Sequence, residues 1–178
     1  MSNYSTYYLT DVRLILLTKY NYKKLHDVDV IKRVDISLLV KDSKQAVNSL
    51  TALSVLSNRG LISHTSSVGN SNNYRRGNQK NKTEITSSIF GVSVFTFVEN
   101  LINYYVPRIR YFKGFNPSNF SSAGDIAFTM KDLMIFPELE EELELFYKLT
   151  NLNISFISKR KMIARPVFFY SLFGFTFV

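Results

Sequence analysis

The hydrophobic positions of this chain change period several times, and each change marks an element. Tyr4, Tyr8, Val12, Ile15 and Leu16 recur at helical spacing, so residues 3–20 are predicted to form an amphipathic helix. From Val30 the period becomes two. Val30, Val34, Ile36, Leu38 and Val40 point one way, interrupted by Lys32, as in a half-buried strand. Asp42 or Ser43 is placed to cap a helix with Ala46, Val47, Leu50, Leu53 and Leu56 as its stripe, and Asn58-Arg59-Gly60 to stop it. Residues 66–83, SSVGNSNNYRRGNQKNKT, are polar, basic and glycine-punctuated, and read as a long mobile loop.

Ile85 to Phe95 returns to β-type composition. Phe97, Leu101, Ile102 and Tyr105 suit a short helix ended before Pro107, because the residue before a proline avoids the helical region. Ile126, Phe128 and Met130 alternate, with Leu133 and Ile135 following after a register change. Leu139, Leu143 and Phe146 thread a glutamate-rich stretch as in a short surface helix, and Leu152, Ile154, Phe156 and Ser158 alternate as a further strand. Pro166 to Val178 is apolar and fits either helix or strand. Four or five strands among three or four helices predict an α+β fold with a mostly antiparallel sheet backed by helices. No internal repeat is visible, and 178 residues suit one domain spanning 1–178.

Composition narrows the chemistry. The chain is 46% hydrophobic and 15% aromatic, enough for a real core. It has no cysteine, which excludes a disulfide scaffold, a thiolate zinc site and a cysteine nucleophile. His26 and His64 stand alone, and no nucleophile elbow, phosphate loop, dinucleotide fingerprint or His-Glu-x-x-His occurs. No catalytic residue, metal or cofactor is therefore expected. The closing apolar run falls short of the about 20 residues that span a bilayer. The opening MSNYSTYYLTDVR lacks the order of a secretory signal and the arginine-rich character of a transit peptide, so the protein is expected to act where it is made. Abundant Phe, Tyr, Asn, Lys and Ile match an AT-rich coding sequence, such as many organellar ones.

Charge points to partners. The net charge is +8 and the pI about 9.6, which implies an anionic partner. Residues 61–83 hold four bases and no acid, and residues 147–178 five bases and no acid. Glu138 to Phe146, by contrast, holds five glutamates and no base. Either these are solvated faces, or the chain has two partners of opposite sign. Tyr74-Arg75-Arg76-Gly77 with Lys80 and Lys82 puts cations and a stacking ring on a jointed loop suited to RNA. Val106 to Gly114 places Arg108, Arg110 and Lys113 beside two rings after a proline break; the alternative there is a helix terminus whose cations offset the dipole.

Around this segment the order of motifs becomes recognisable. FVENLINYYVPRIRYFKGF, then Ser118 and Phe120, Gly124-Asp125, Ile135-Phe136-Pro137-Glu138 and LNISFIS resemble the C-terminal half of the family of large ribosomal subunit protein five. The match covers about residues 97–158, and Phe173-Gly174-Phe175-Thr176-Phe177 is similar to the family's terminal alternating phenylalanines. The N-terminal half agrees at Tyr20-Asn21-Tyr22 and at the strand near Val30. The resemblance implies a concave antiparallel sheet backed by helices and a non-catalytic, structural role in the central protuberance of the large subunit. It implies contact with 5S rRNA and adjoining large-subunit rRNA. It also implies a loop near the peptidyl-site tRNA and an edge that bridges to a small-subunit head protein, among other central-protuberance neighbours. On that footing Tyr74, Arg75, Arg76, Lys80 and Lys82 are the tRNA-facing loop. Lys32, Arg33, Lys41, Arg108, Arg110 and Lys113 are the candidate rRNA-binding residues, and Glu140, Glu141, Glu142 and Glu144 the small-subunit bridge. No membrane partner is expected.

One departure from the family pattern matters. Bacterial members carry Val-Pro-Arg at a strand entrance and Asn-x-Gly-x-Gly at its exit, a stretch that approaches 5S rRNA. Here the entrance reads Val28-Asp29-Val30, and Ser37, Leu39 and Lys41 stand at the exit. Leu39 obstructs the close approach that glycine permits, and Asp29 is expected to repel phosphate. The departure argues against ordinary 5S rRNA recognition and for reliance on large-subunit rRNA and proteins. With the AT-rich composition it favours a mitochondrial ribosome, in the matrix and organelle-encoded. The competing reading is a free basic module that binds RNA or a membrane surface.

Overall fold

The computed structural model describes residues 3–40, 43–57, 63–68, 82–149, 151–159 and 166–178. Helix α1 (Asn3–Tyr7), a wide π-turn (Tyr8–Val12) and α2 (Arg13–Tyr20) follow without a break. They bury Tyr8, Val12 and Leu16, the predicted stripe, while Ile15 lies on the exposed side. Asn21 ends the helix in a left-handed conformation, φ 54°, which asparagine tolerates. Strand β1 (Ile31–Val40) buries Val34, Ile36, Leu38 and Val40 as its period requires.

Helix α3 (Ser43–Ser57) is turned from the predicted orientation. Its buried side is Ser49, Ala52, Leu53 and Leu56, whereas Val47 is 61% exposed. Two residues along a helix are about 200° apart, so a helix that buries Ser49 must expose Val47. Asp42 and Asn58-Arg59-Gly60, predicted as cap and stop, lie outside the described residues.

Strands β2 (Ser63–Val68) and β3 (Lys82–Phe90) pair antiparallel, with Ser63 opposite Ser87 and Val68 opposite Lys82. The predicted loop over 66–83 is therefore shorter at both ends. Ser66–Val68 and Lys82–Thr83 are held by a backbone ladder that needs no apolar side chains and leaves no hydrophobic period to read. In β3, Ile85, Ser87 and Ile89 are buried in alternation.

The β-type composition predicted through Phe95 ends at Phe90. Gly91, at φ 69°, turns the chain into α4 (Val92–Asn100), which buries Val94, Phe97 and Val98. A π-turn (Leu101–Tyr105) carries it on into α5 (Val106–Arg108), so the helix passes Pro107 instead of stopping before it. Val106 keeps helical angles of −59° and −44°. The wider turn just upstream shifts the hydrogen-bond ladder where proline has no N–H to give. After β4 (Ile126–Met130) come α6 (Pro137–Glu140), α7 (Leu143–Phe146), β5 (Leu152–Ser158) and α8 (Pro166–Ser171). The closing apolar segment is thus helical first; beyond the helix, Phe177 forms an isolated parallel bridge with Phe115.

The strands form one sheet in the order β2-β3-β1-β5-β4. Cross-strand bonds show that neighbours run in opposite directions. Ser88 Oγ donates to Asp35 Oδ1 and Ser37 Oγ to Glu84 Oε1, each at 2.6 Å, so β1 ascends as β3 descends. Ser158 N bonds Asp125 Oδ1 at 2.8 Å and Thr129 Oγ1 bonds Asn153 Oδ1 at 2.7 Å, which sets β4 against β5 in the same way. Lys159 N donates to Val30 O at 2.9 Å, placing the end of β5 beside the start of β1. The fold is α+β, as the periodicity predicted.

The chain divides into two compact units. Unit 1 comprises Met1–Val34, Ile89–Phe128 and Ser155–Val178; unit 2 comprises Asp35–Ser88 and Thr129–Ile154. The interior of unit 1 is aromatic. Phe156 packs against Phe97, Phe128, Tyr170 and Phe175 with ring centroids 5.6–6.4 Å apart, and Phe173 lies against Tyr8 and Phe169. The buried Tyr170 hydroxyl is pushed far above its ordinary pKa by loss of solvent. Unit 2 is largely aliphatic inside, with Ile36, Leu38, Leu53, Leu56, Ile85, Leu139, Leu152 and Ile154 buried beside Phe136 and Phe146.

Phe156→Ala should destabilise the protein by about 3–5 kcal/mol in denaturant unfolding, the range for deleting a buried ring. Val47→Ala should change stability by no more than about 0.5 kcal/mol, since its side chain is mostly in water.

Candidate nucleic-acid interface

The segment 106–115 is fastened at both ends and charged in between. Ile109 N donates to Val106 O at 3.1 Å and leaves the helix with an extended ψ of 119°. Ile109 and Phe112 are half-buried, and Phe112 meets Phe115 edge-on with centroids 5.0 Å apart. Phe115 is bound to the C-terminal segment: its N–H donates to Thr176 O at 2.8 Å, and Val178 N donates back to Phe115 O at 3.1 Å. Gly114, at φ 128°, allows this approach, because a Cβ there would come within 2.6 Å of Val178 Cγ2. Between these anchors Arg108, Arg110 and Lys113 are exposed, and no acid occurs from 106 to 115. Tyr111 is 95% exposed at φ 57°.

The other sequence-selected cations are dispersed. Lys32 is exposed and Arg33 half-buried at the start of β1, in unit 1 like the 106–115 segment. Lys82 opens β3 opposite Val68. Tyr74, Arg75, Arg76, Lys80 and Lys41 lie outside the described residues. Charge is unequal between the units: unit 1 holds thirteen bases and five acids, and unit 2 nine of each. The whole net charge of the chain therefore belongs to unit 1.

The glutamates form a surface of their own in unit 2. Glu140 ends α6, Glu141 and Glu142 occupy the turn, and Glu144 sits in α7; all four are exposed, while Leu139 and Phe146 are buried. Asn48 Nδ2 donates to Leu145 O at 2.8 Å, tying α7 to α3.

Asp29 requires a correction. It is only 4% exposed, and Tyr22 Oη donates to its Oδ2 at 2.9 Å, while Tyr8 Oη donates to its backbone carbonyl at 2.9 Å. A carboxylate turned inward and hydrogen-bonded does not face a phosphate chain, so the expected repulsion has no surface to act from. Burial pushes the Tyr8 hydroxyl up to about 12, with Arg13 pulling it back and Asp29 adding to the rise. Leu39, in contrast, is 44% exposed on β1 and does obstruct close approach. Near it, Asp35 and Glu84 are engaged by serine hydroxyls.

Some motif residues prove structural. Gly124 takes φ 87°, and Asp125 Oδ1 accepts from both the N–H and the hydroxyl of Ser158. Tyr111 is the contact candidate that residue type alone does not single out. It stands beside Phe112 in the sequence, and only the backbone turn separates the exposed ring from the packed one.

Comparison with known proteins agrees with the motif order. The model of the ribosomal uL5 family C-terminus matches residues 85–177. The chain is 28% identical over 166 residues to large ribosomal subunit protein uL5m of Reclinomonas americana, covering 90% of each chain. It is 25% identical over 166 residues to large ribosomal subunit protein uL5 of Alkaliphilus oremlandii, again covering 90% of each. Against large ribosomal subunit protein uL5c of Oedogonium cardiacum the identity is 24% over 167 residues, covering 91% of this chain and 90% of that one.

If Asp29 is a structural carboxylate, Tyr22→Phe should lower stability by about 1.5–3 kcal/mol, the worth of a hydrogen bond to a charged group. RNA affinity of the folded variant, measured by filter binding, should stay at the wild-type value.

Proposed function

Because the chain belongs to the ribosomal uL5 family, and so is a structural, non-enzymatic constituent of a large ribosomal subunit, we propose that it grips large-subunit rRNA in the central protuberance. The observation that carries this reading is the anchored segment 106–115, which presents Arg108, Arg110 and Lys113 to solvent without a neighbouring acid. Lys32, Arg33 and Lys41 extend the same role. Phosphate neutralisation supplies most of the affinity, and the rigid anchoring of the segment sets its register. The concentration of net positive charge in unit 1 supports assigning rRNA binding chiefly to that unit.

Two further contacts complete the proposal. Tyr74, Arg75, Arg76, Lys80 and Lys82 form a basic loop that reaches the peptidyl-site tRNA. Glu140, Glu141, Glu142 and Glu144 form the edge that meets a basic small-subunit head protein; their shared exposure and the lack of any base from 138 to 146 support this. Leu39, with Asp35 and Glu84 on the adjoining strands, makes a poor bed for an RNA backbone. We infer that 5S rRNA is not held at β1 in the bacterial manner. Relatives that include mitochondrial and chloroplast proteins agree with an organellar ribosome, and the AT-rich composition supports the mitochondrial one, with the gene in the organelle.

Gradient sedimentation tests the reading. The protein should travel with the large subunit, and a free pool without any particle-bound fraction would overturn it. Changing Arg75 and Arg76 together to Ala should leave that incorporation intact and weaken peptidyl-site tRNA binding; lost incorporation would make the loop an assembly element instead. Reversing the four glutamates to lysine should impair subunit joining more than large-subunit assembly, measured as the ratio of joined ribosomes to free subunits.

A further inference from the structure

Tyr111 is held in a way that the fold around it does not require. Its ring is 95% exposed, although Ile109 and Phe112 on either side are drawn inward. Its backbone, at φ 57°, occupies the left-handed region that bulky side chains avoid. Both features oppose stability, since the ring gains nothing from burial and the turn would suit glycine or asparagine better. The turn is fixed by neighbours on both sides: the Val106–Ile109 hydrogen bond before it, and the Phe112–Phe115 packing with Gly114 beneath Val178 after it. The cations Arg108, Arg110 and Lys113 flank the ring, all exposed, with no carboxylate in the segment. A bare ring among cations complements a polyanion that carries flat faces of its own, which is a nucleic-acid strand with a base out of its stack.

We propose that Tyr111 is a base-stacking residue whose ring takes the face of an unpaired rRNA nucleotide while Arg110 and Lys113 hold the flanking phosphates. This rests on the rRNA-binding reading and adds a contact at the level of a single nucleotide. A base is favoured over an apolar pocket of a protein because the charge around the ring is wholly cationic, and a nucleotide brings both the π-face and the anions.

The test uses the full-length protein with two probes: a fluorescent, aminopurine-containing single-stranded oligoadenylate, and heparin, a polyanion without bases. The wild type should bind both and quench the aminopurine. Tyr111→Phe should keep oligoadenylate affinity to within about twofold, whereas Tyr111→Leu should lose roughly 5- to 100-fold, the range expected for one stacked base. Heparin affinity and the slope of log affinity against log salt should not change in Tyr111→Leu, because the ring displaces no counterions. Tyr111→Asn should lose oligoadenylate affinity similarly without a lower thermal unfolding midpoint, since asparagine accepts the turn. Equal oligoadenylate binding by Tyr111→Leu and wild type, an equal loss on heparin, or a lowered midpoint in Tyr111→Asn would each overturn the stacking role. Unchanged oligoadenylate binding with lost incorporation into the subunit would reassign the ring to a protein contact. A wild type that binds neither probe would overturn the rRNA-binding reading itself, and this proposal with it.

Discussion

The packing of Phe115 is the interaction on which the rest of the basic segment depends. Its ring meets Phe112, Phe128 and Phe175 at centroid distances of 4.8–5.1 Å, and its backbone exchanges hydrogen bonds with Thr176 and Val178. One residue thereby joins the cationic stretch after α5 to β4 and to the end of the chain. Long cationic side chains lose conformational entropy when they settle on an anion. A backbone already fixed leaves only the side chains to be ordered, so the aromatic interior of unit 1 contributes to binding as well as to folding.

The electrostatics of unit 1 follow from the same arrangement. Of its five acids, Asp29 and Asp125 are engaged inside the protein, by tyrosine and serine hydroxyls and a backbone amide. Carboxylates committed to internal hydrogen bonds hold the fold together and present little negative potential to a phosphate chain. The remaining imbalance of charge gives unit 1 a cationic field. Unit 2 is neutral as a whole yet carries the exposed glutamates between α6 and α7. Opposite partners are thus served by different parts of one small chain.

Sequence periodicity read most elements correctly where one face is apolar and the other wet, as in β1, β4, β5 and the opening helix. It failed where the pattern carries no such contrast. β2 and the start of β3 are serine- and threonine-rich, and their ladder is a backbone affair. The helix through Pro107 depends on a π-turn, a hydrogen-bond shift that leaves no mark in residue types. At the candidate interface, the cations of Val106–Gly114 were legible as a run of charge. Tyr111 and Asp29 were not: one neighbouring ring is packed and the other bare, and one aspartate is buried by two tyrosines distant in sequence. Pairwise geometry decides such cases, and a linear pattern does not contain it.

The central claim is that a fixed cationic segment touches rRNA. Ultraviolet cross-linking of intact ribosomes containing this protein, followed by mass spectrometry of its peptides, measures that contact directly. Nucleotide adducts from large-subunit rRNA are predicted on the peptide spanning residues 106–114. A peptide free of nucleotide, in subunits whose other proteins cross-link normally, would contradict the account.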